Sequence, residues 1–268
     1  MHANEFPSIS RRRLLGGLTV AGITACTPDN GRPDLVDAPS PVATFPRVGQ
    51  VLREPAPAEP ISAEQVQTVD VDRSVVATAL PALLEVRDAP EGEVTHLMEH
   101  PTPTGGPLVF LTTENQSDWH EVLLPVRPNG STGWVRTADV SLAAHHFRIG
   151  VDLAAFRLRV FDRGSAIFDA VAGVARDNAP TPGGRYYITE LLAPLEPDTI
   201  YGTFAYGLSG FSETFETFNG GPGQLGIHGT NEPETLGSAV SAGCIRLHNN
   251  DVERLVRFLP LGVPVDVA

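Results

Sequence analysis

A proline or glycine interrupts this chain at about every fifth position, with 24 prolines and 26 glycines among 268 residues. Proline fixes φ and removes a backbone donor, and glycine weakens helix and strand interiors alike. Long uninterrupted elements are therefore excluded over most of the chain. The 41% of hydrophobic residues still supplies a core, so the expected class is mainly β, with short strands joined by turns and few short helices. The length suits one large domain or two small ones with tails.

Charge removes whole classes of function. The 19 basic residues stand against 32 acidic ones, a formal net charge of −13, and every basic residue is Arg. Without lysine there is no Schiff-base amine and no phosphate-loop Gly-Lys-Ser/Thr step. An acidic chain also makes a poor partner for phosphate backbones, so no nucleic acid is expected.

The N-terminus reads as an address. Ser10-Arg11-Arg12-Arg13 precedes an uncharged apolar run from Leu14 to Ala25. Twelve helical residues rise roughly 18 Å, too short for a bilayer core of about 30 Å, so residues 1–26 are expected to be an export signal. Ser-Arg-Arg-Arg-Leu-Leu resembles the twin-arginine signal, with the general export route as the alternative. Ile23-Thr24-Ala25-Cys26 resembles the lipobox of bacterial lipoproteins, which implies lipidation at Cys26 and an extracytoplasmic protein anchored to the membrane facing the cell wall. Cys244, the other cysteine, is then a lone thiol outside the cytoplasm. Proteins there pair their cysteines or do without them, so it is either an inert buried thiol or a nucleophile.

Residues 27–74 begin with eight prolines up to Ile61 and read as an extended tether. Residues 75–142 carry short β-type runs, Leu108 to Leu111 and Trp119 to Leu124 among them, and a turn at Pro128-Asn129-Gly130 before Gly133 to Arg136. This segment resembles a small SH3-like barrel; spacer and wall-binding module are both open. His96 and His100 have metal-ligand spacing for a helix, but Pro101 ends the segment, and a solvated pair is expected. From His146 to the C-terminus the strand signals are denser. Phe156, Leu158 and Val160 alternate with Arg157, Arg159 and Phe161, and Asp162-Arg163-Gly164 turns the chain into Ala166 to Val171. One helix is expected, capped by Asn250 and burying Val252, Leu255, Val256 and Leu259 before Pro260. A closing strand over Val263 to Val267 follows.

Two stretches carry chemistry. After the turn Gly220-Gly221-Pro222-Gly223, alternation puts Leu225 and Ile227 on the core face and His228 on the other. In Ser241-Ala242-Gly243-Cys244-Ile245-Arg246-Leu247, Ile245 and Leu247 are the core residues while Cys244 and Arg246 share the opposite face. A thiol is a few per cent ionised at neutral pH, and a neighbouring imidazole raises that fraction by ion pairing. Attack on an amide creates an oxyanion that needs N–H donors, and Ala242-Gly243 leaves the backbone open for that. Arg246 can support anionic states or hold a carboxylate. Ser241 lacks the first glycine of a nucleophile elbow. Tyr201, Phe204, Tyr206, Phe211, Phe215 and Phe218 precede the His strand as core or as a lid.

His-Gly-Thr followed by Ser-x-Gly-Cys-Ile-Arg-Leu resembles the catalytic motif of the L,D-transpeptidases, bacterial enzymes that cross-link peptidoglycan. The resemblance spans residues 146–268, including Thr181-Pro182-Gly183-Gly184, and implies that family's β-sandwich. It implies Cys244 as nucleophile, His228 as general base and the Gly229 carbonyl orienting the imidazole. Ser241, Ala242, Gly243 and Arg246 fall on its oxyanion and substrate-binding positions. Ala242 stands where the family most often has His; its N–H survives, but any side-chain hydrogen bond is lost. The implied substrates are peptidoglycan stem peptides, with no cofactor and no metal. Hydrolysis or amino-acid exchange on the same acyl-enzyme route, and a non-catalytic wall-binding lipoprotein, are the alternatives.

Overall fold

The computed structural model describes residues 50–66, 73–116, 118–196, 198–218 and 221–268. The export signal, Cys26, the tether before residue 50 and Gly220 lie outside the described residues. The first half places β1 (Gln50–Leu52), β2 (Glu59–Pro60), a single-turn helix α1 (Ala63–Val66), β3 (Ser74–Ala79), β4 (Leu83–Arg87), β5 (Val94–Glu99), β6 (Val109–Gln116), β7 (Trp119–Leu123), β8 (Thr132–Arg136) and β9 (Val140–His145). The second half holds β10 (Phe147–Asp152), β11 (Arg157–Asp162), β12 (Ser165–Val171), β13 (Val174–Ala175), β14 (Gly184–Pro194), β15 (Ala205–Phe211), β16 (Gln224–His228), β17 (Ala239–Ser241), β18 (Ile245–Arg246), the helix α2 (Asn249–Val256) and β19 (Pro264–Val267). The described chain is mainly β with few short helices, as the punctuation by proline and glycine demands.

One antiparallel sheet runs β2-β9-β3-β6-β7-β8-β4-β5. It exceeds the expected 75–142 boundaries, because β3 and β9 pair along their whole lengths from Ser74↔His145 to Ala79↔Val140. The tether reading does not hold from residue 50 onward. β1 pairs with the end of β14 and β2 adds to β9, so backbone groups that water would otherwise satisfy bond to sheet edges. Pro60 is tolerated there because an edge strand needs only half its backbone groups paired. His96 lies on β5, not on a helix, with its Nδ1 on Thr95 Oγ1 at 3.0 Å; His100 accepts from the Leu108 N–H at 3.1 Å.

The second half is ordered β12-β11-β10-β19-β14-β15-β16-β18. Arg163 and Gly164 both have positive φ, 47° and 75°, and Asp162 pairs with Ser165. This is a two-residue hairpin of type I′, whose twist matches the flanking strands. The eleven-residue β14 joins the two ends of this order: Gly184–Tyr187 pair with β19, while Ile188–Leu192 pair with β15. Side chains from both parts, Tyr187 and Leu191 among them, enter one buried cluster. Val76, Val109, Leu111 and Leu123 of the first sheet belong to that same cluster. The expected boundary between two modules is therefore crossed by a shared core, although the first sheet has a second cluster of its own around Phe110 and Leu84.

The helix starts two residues before the sequence pattern suggests. His248, not Asn250, is its N-cap, with the ring accepting from the Asn250 N–H at 3.2 Å. Val252 and Leu255 are its buried residues.

Candidate active site

The His strand and the Cys strand pair in parallel. Ile227 faces Ile245 and His228 faces Arg246 in the register of β16 and β18, and the Leu247 N–H donates to the His228 carbonyl at 2.8 Å. Alternating burial from Ser241 to Leu247 puts Ile245 and Leu247 in the core. His228, Ser241, Ala242, Gly243, Cys244 and Arg246 then line one cavity of about 230 Å³.

The turn before β18 is built by side chains on both flanks. The Ser241 hydroxyl donates to the Cys244 carbonyl at 2.5 Å and accepts from the Gly243 N–H at 3.3 Å. Thr181 Oγ1 donates to the Gly243 carbonyl at 2.8 Å. Gly243 has φ of +128° with Leu225 Cδ2 only 3.2 Å from where a Cβ would stand, so a side chain is disfavoured twice over. Ser241 thus shapes the nucleophile's turn, and in this state it also occupies the Gly243 amide assigned to an oxyanion.

At the other strand, His228 Nδ1 lies 2.6 Å from the Gly229 carbonyl oxygen. A carbonyl only accepts, so Nδ1 carries the proton and Nε2 is the free base. The edge of Tyr201 packs on the imidazole, with ring centroids 5.0 Å apart. The strand end is fixed by residues that no sequence pattern marks. Asn249 Oδ1 accepts from the Thr230 N–H at 3.0 Å, and a Cβ on Gly202 would stand 2.0 Å from that oxygen and 2.5 Å from the Thr230 nitrogen. Gly202 also has φ of +63°. Gly202→Ala is expected to destabilise the protein by about 1–3 kcal/mol, since backbone cannot yield as a flexible side chain does. Urea unfolding of the variant measures this; an unchanged midpoint would contradict the close packing.

Burial decides the charge states. It pushes the Cys244 thiol up to about 11, outweighing the pull of the Gly226 N–H and the positive charge of Arg246. It pushes the His228 imidazole down to about 4, against the bond to Gly229 and with a smaller push from Arg246. Burial thus favours the neutral form of both groups and opposes the ion pairing expected from the sequence. Arg246 itself is paired with Glu232 Oε2 at 2.9 Å and nearly enclosed, and its Nε is buried without a hydrogen-bond partner.

The aromatic segment divides between the two roles left open. Tyr206 is core and Phe211 is buried, Phe204 packs against the core, while Tyr201, Phe215 and Phe218 line the cavity. Asn249 and Gly202 escaped sequence reading because each reaches the His strand from a different part of the chain.

Fold and site together define a mainly β protein with a thiol, an imidazole and a guanidinium converging on one cavity. Residues 146–267 match the model of the YkuD family, the L,D-transpeptidase catalytic domain. Among curated proteins, YkuD of Bacillus licheniformis is 34% identical over 121 residues, covering 45% of this chain and 65% of the relative. YkuD of Bacillus subtilis is 31% identical over 123 residues, covering 46% of this chain and 65% of the relative. The chain thus spans just under two thirds of the length of these relatives. Among solved structures, an L,D-transpeptidase from Mycobacterium tuberculosis is similar with a TM-score of 0.39 and 17% identity, covering 72% of this chain and 97% of that one. A Bdellovibrio bacteriovorus protein gives a TM-score of 0.37 and 23% identity, covering 46% of this chain and 48% of that one.

Proposed function

We propose that this protein is a cysteine-dependent L,D-transpeptidase acting on peptidoglycan stem peptides. The observation that carries the reading is the placement of Cys244 and His228 on one cavity with His228 Nδ1 committed to the Gly229 carbonyl. That bond leaves Nε2 as the base. Because both groups rest neutral, the thiol proton passes to Nε2 as sulfur attacks the carbonyl carbon of the third stem residue. The oxyanion is received by the main-chain N–H groups of Ala242 and Cys244, and by that of Gly243 once Ser241 releases it. The tetrahedral species collapses with cleavage of the C–N bond to the terminal D-alanine, whose nitrogen takes the proton from the imidazolium. An amine of a neighbouring stem then attacks the thioester, gives its proton to His228, and the thiol is restored. Arg246, held by Glu232, lines the cavity and can hold a substrate carboxylate or carbonyl there.

The test is incubation with a purified disaccharide-tetrapeptide and mass analysis of products. A dimer that has lost one alanine is expected. Monomer without alanine assigns water as acceptor, and unchanged substrate with no adduct on Cys244 leaves a non-catalytic wall-binding role.

The same reading places the protein outside the cytoplasm on a lipid at Cys26. Cys26→Ser is expected to move it from the membrane fraction to the soluble fraction, with Arg11→Lys plus Arg12→Lys blocking export if the twin-arginine route is used. Equal partitioning of wild type and Cys26→Ser would remove the lipid anchor from the account.

A further inference from the structure

We infer that Arg127 and Asn129, on the turn between β7 and β8, are positioning residues for the wall of the thiol cavity. The inference rests on the reading that the substrate binds in that cavity. It assigns the first sheet a part in substrate binding beyond that of spacer or wall anchor.

The observations lie on both sides of one joint. The cavity wall opposite β18 includes Ser212, Phe215, Phe218 and Gly223. Arg127 Nη1 donates to the Ser212 carbonyl at 2.6 Å, and Nη2 donates to the carbonyls of Phe215 and Pro222 at 3.1 and 2.7 Å. One guanidinium therefore ties the outgoing and returning stretches of the wall to each other and to the first sheet. Its carbon also lies 4.9 Å from the centroid of the Phe211 ring, at cation–π distance. Asn129 does the work of a missing strand beside it. Its Nδ2 donates to the Phe211 carbonyl and its Oδ1 accepts from the Phe211 N–H, both at 2.8 Å.

Among the described residues the wall's own bonds are few. The Ser212 N–H donates to the Gly223 carbonyl at 2.7 Å, the Ser212 hydroxyl accepts from the N–H groups of Thr214 and Phe215, and Phe218 and Gly221 exchange a pair of bonds. At Gly223, φ is +69° and a Cβ would stand 2.3 Å from the Phe215 oxygen, so the two stretches meet through backbone with no side chain packed between them. Carbonyl oxygens that converge in this way need a donor with several N–H groups in a fixed plane, which is what guanidinium supplies. Truncation at Arg127 leaves three carbonyls without that donor, and the side chains of Phe215 and Phe218 lose their placement in the cavity wall.

The full chain carrying Arg127→Ala, Asn129→Ala or Arg127→Lys tests this by two independent measurements. In hydrogen exchange, amides of 213–218, Gly221 and Gly223 are expected to exchange at least about tenfold faster in Arg127→Ala and Asn129→Ala, while core amides such as Val160 and Ile188 keep their protection. In turnover of the disaccharide-tetrapeptide, KM is expected to rise about tenfold with kcat changed by less than about threefold, and Arg127→Lys is expected to recover part of the loss because it restores a charged donor. Should Arg127→Ala fail to fold, Asn129→Ala decides, since it removes only the two bonds to Phe211. Unchanged exchange in 213–223, or exchange that rises equally in the core, overturns the positioning role. So does a fall in kcat at constant KM. Absence of turnover in the wild type would sink the proposed activity and leave the exchange measurement to decide the clamp by itself.

Discussion

Cys244→Ser is expected to abolish acylation by the tetrapeptide stem, with no covalent adduct detectable by intact mass. A hydroxyl without a strong base is a far poorer nucleophile than a thiol that loses its proton in the act of attack. The variant should fold, because serine is close in volume and the turn is held by Ser241 and Thr181, not by the thiol. The partner variant separates resting charge from catalysis. With its thiol pushed up to about 11, wild-type Cys244 should react with iodoacetamide at pH 7 roughly 20- to 30-fold more slowly than a free cysteine near 8.5, and faster as pH rises towards 11. His228→Ala opens space beside the sulfur and admits water, so the thiol moves back towards its ordinary range and labelling at neutral pH speeds up. Acylation by the stem should meanwhile slow by about 10²–10⁴-fold, the usual worth of a positioned base. The two rates thus move in opposite directions. Wild-type labelling that is already complete at neutral pH and lost in His228→Ala would instead establish a resting thiolate–imidazolium pair, and the neutral-pair mechanism would be wrong.

Acid should destabilise this fold severely, through two buried imidazoles. Burial holds His228 down to about 4 and His145 down to about 4 as well, against the pull of the Gly262 backbone and with a further push from the neighbouring His146. In the unfolded chain both take a proton near 6.5. Between those values the unfolded state binds more protons, so the stabilisation present above about pH 6.5 is lost as pH falls towards 4. A shift of that size corresponds to about 3 kcal/mol for each group, and the two together approach the total stability of an ordinary domain, about 5–15 kcal/mol. Glu190 works the other way, because burial raises its carboxyl despite the bond from Thr104, so the attribution needs a variant. Urea unfolding at pH 7 and pH 4.5 should show a large loss for the wild type, and His228→Gln should show about half of it. Equal losses in both proteins would mean that His228 is not held neutral by the fold.

The sequence by itself determined the features that depend on near neighbours. Proline and glycine at this density leave short strands, and Arg163-Gly164 forms the hairpin turn that its two residues permit. Alternation in Leu225 to His228 and in Ser241 to Leu247 placed the imidazole, the thiol and the guanidinium on the side away from the core, where they line one cavity. Their types and order carried the resemblance that the match over residues 146–267 supports. The tertiary structure decided whatever depends on what covers a face. Alternation says that His228 and Cys244 leave the core, yet the fold buries His228 and lines the same cavity with Tyr201, Phe215 and Phe218. The resulting loss of water, not the chain spacing, sets both groups neutral. Asn249 and Gly202 reach the His strand only after folding, the helix begins at His248 because its ring bonds the first turn, and β1 and β2 exist only because sheet edges were there to receive them. Arg127 is an ordinary turn arginine in the sequence. Three carbonyls from 85 to 95 residues away make it part of the active-site wall, because a guanidinium's worth depends on the acceptors that the fold collects around it.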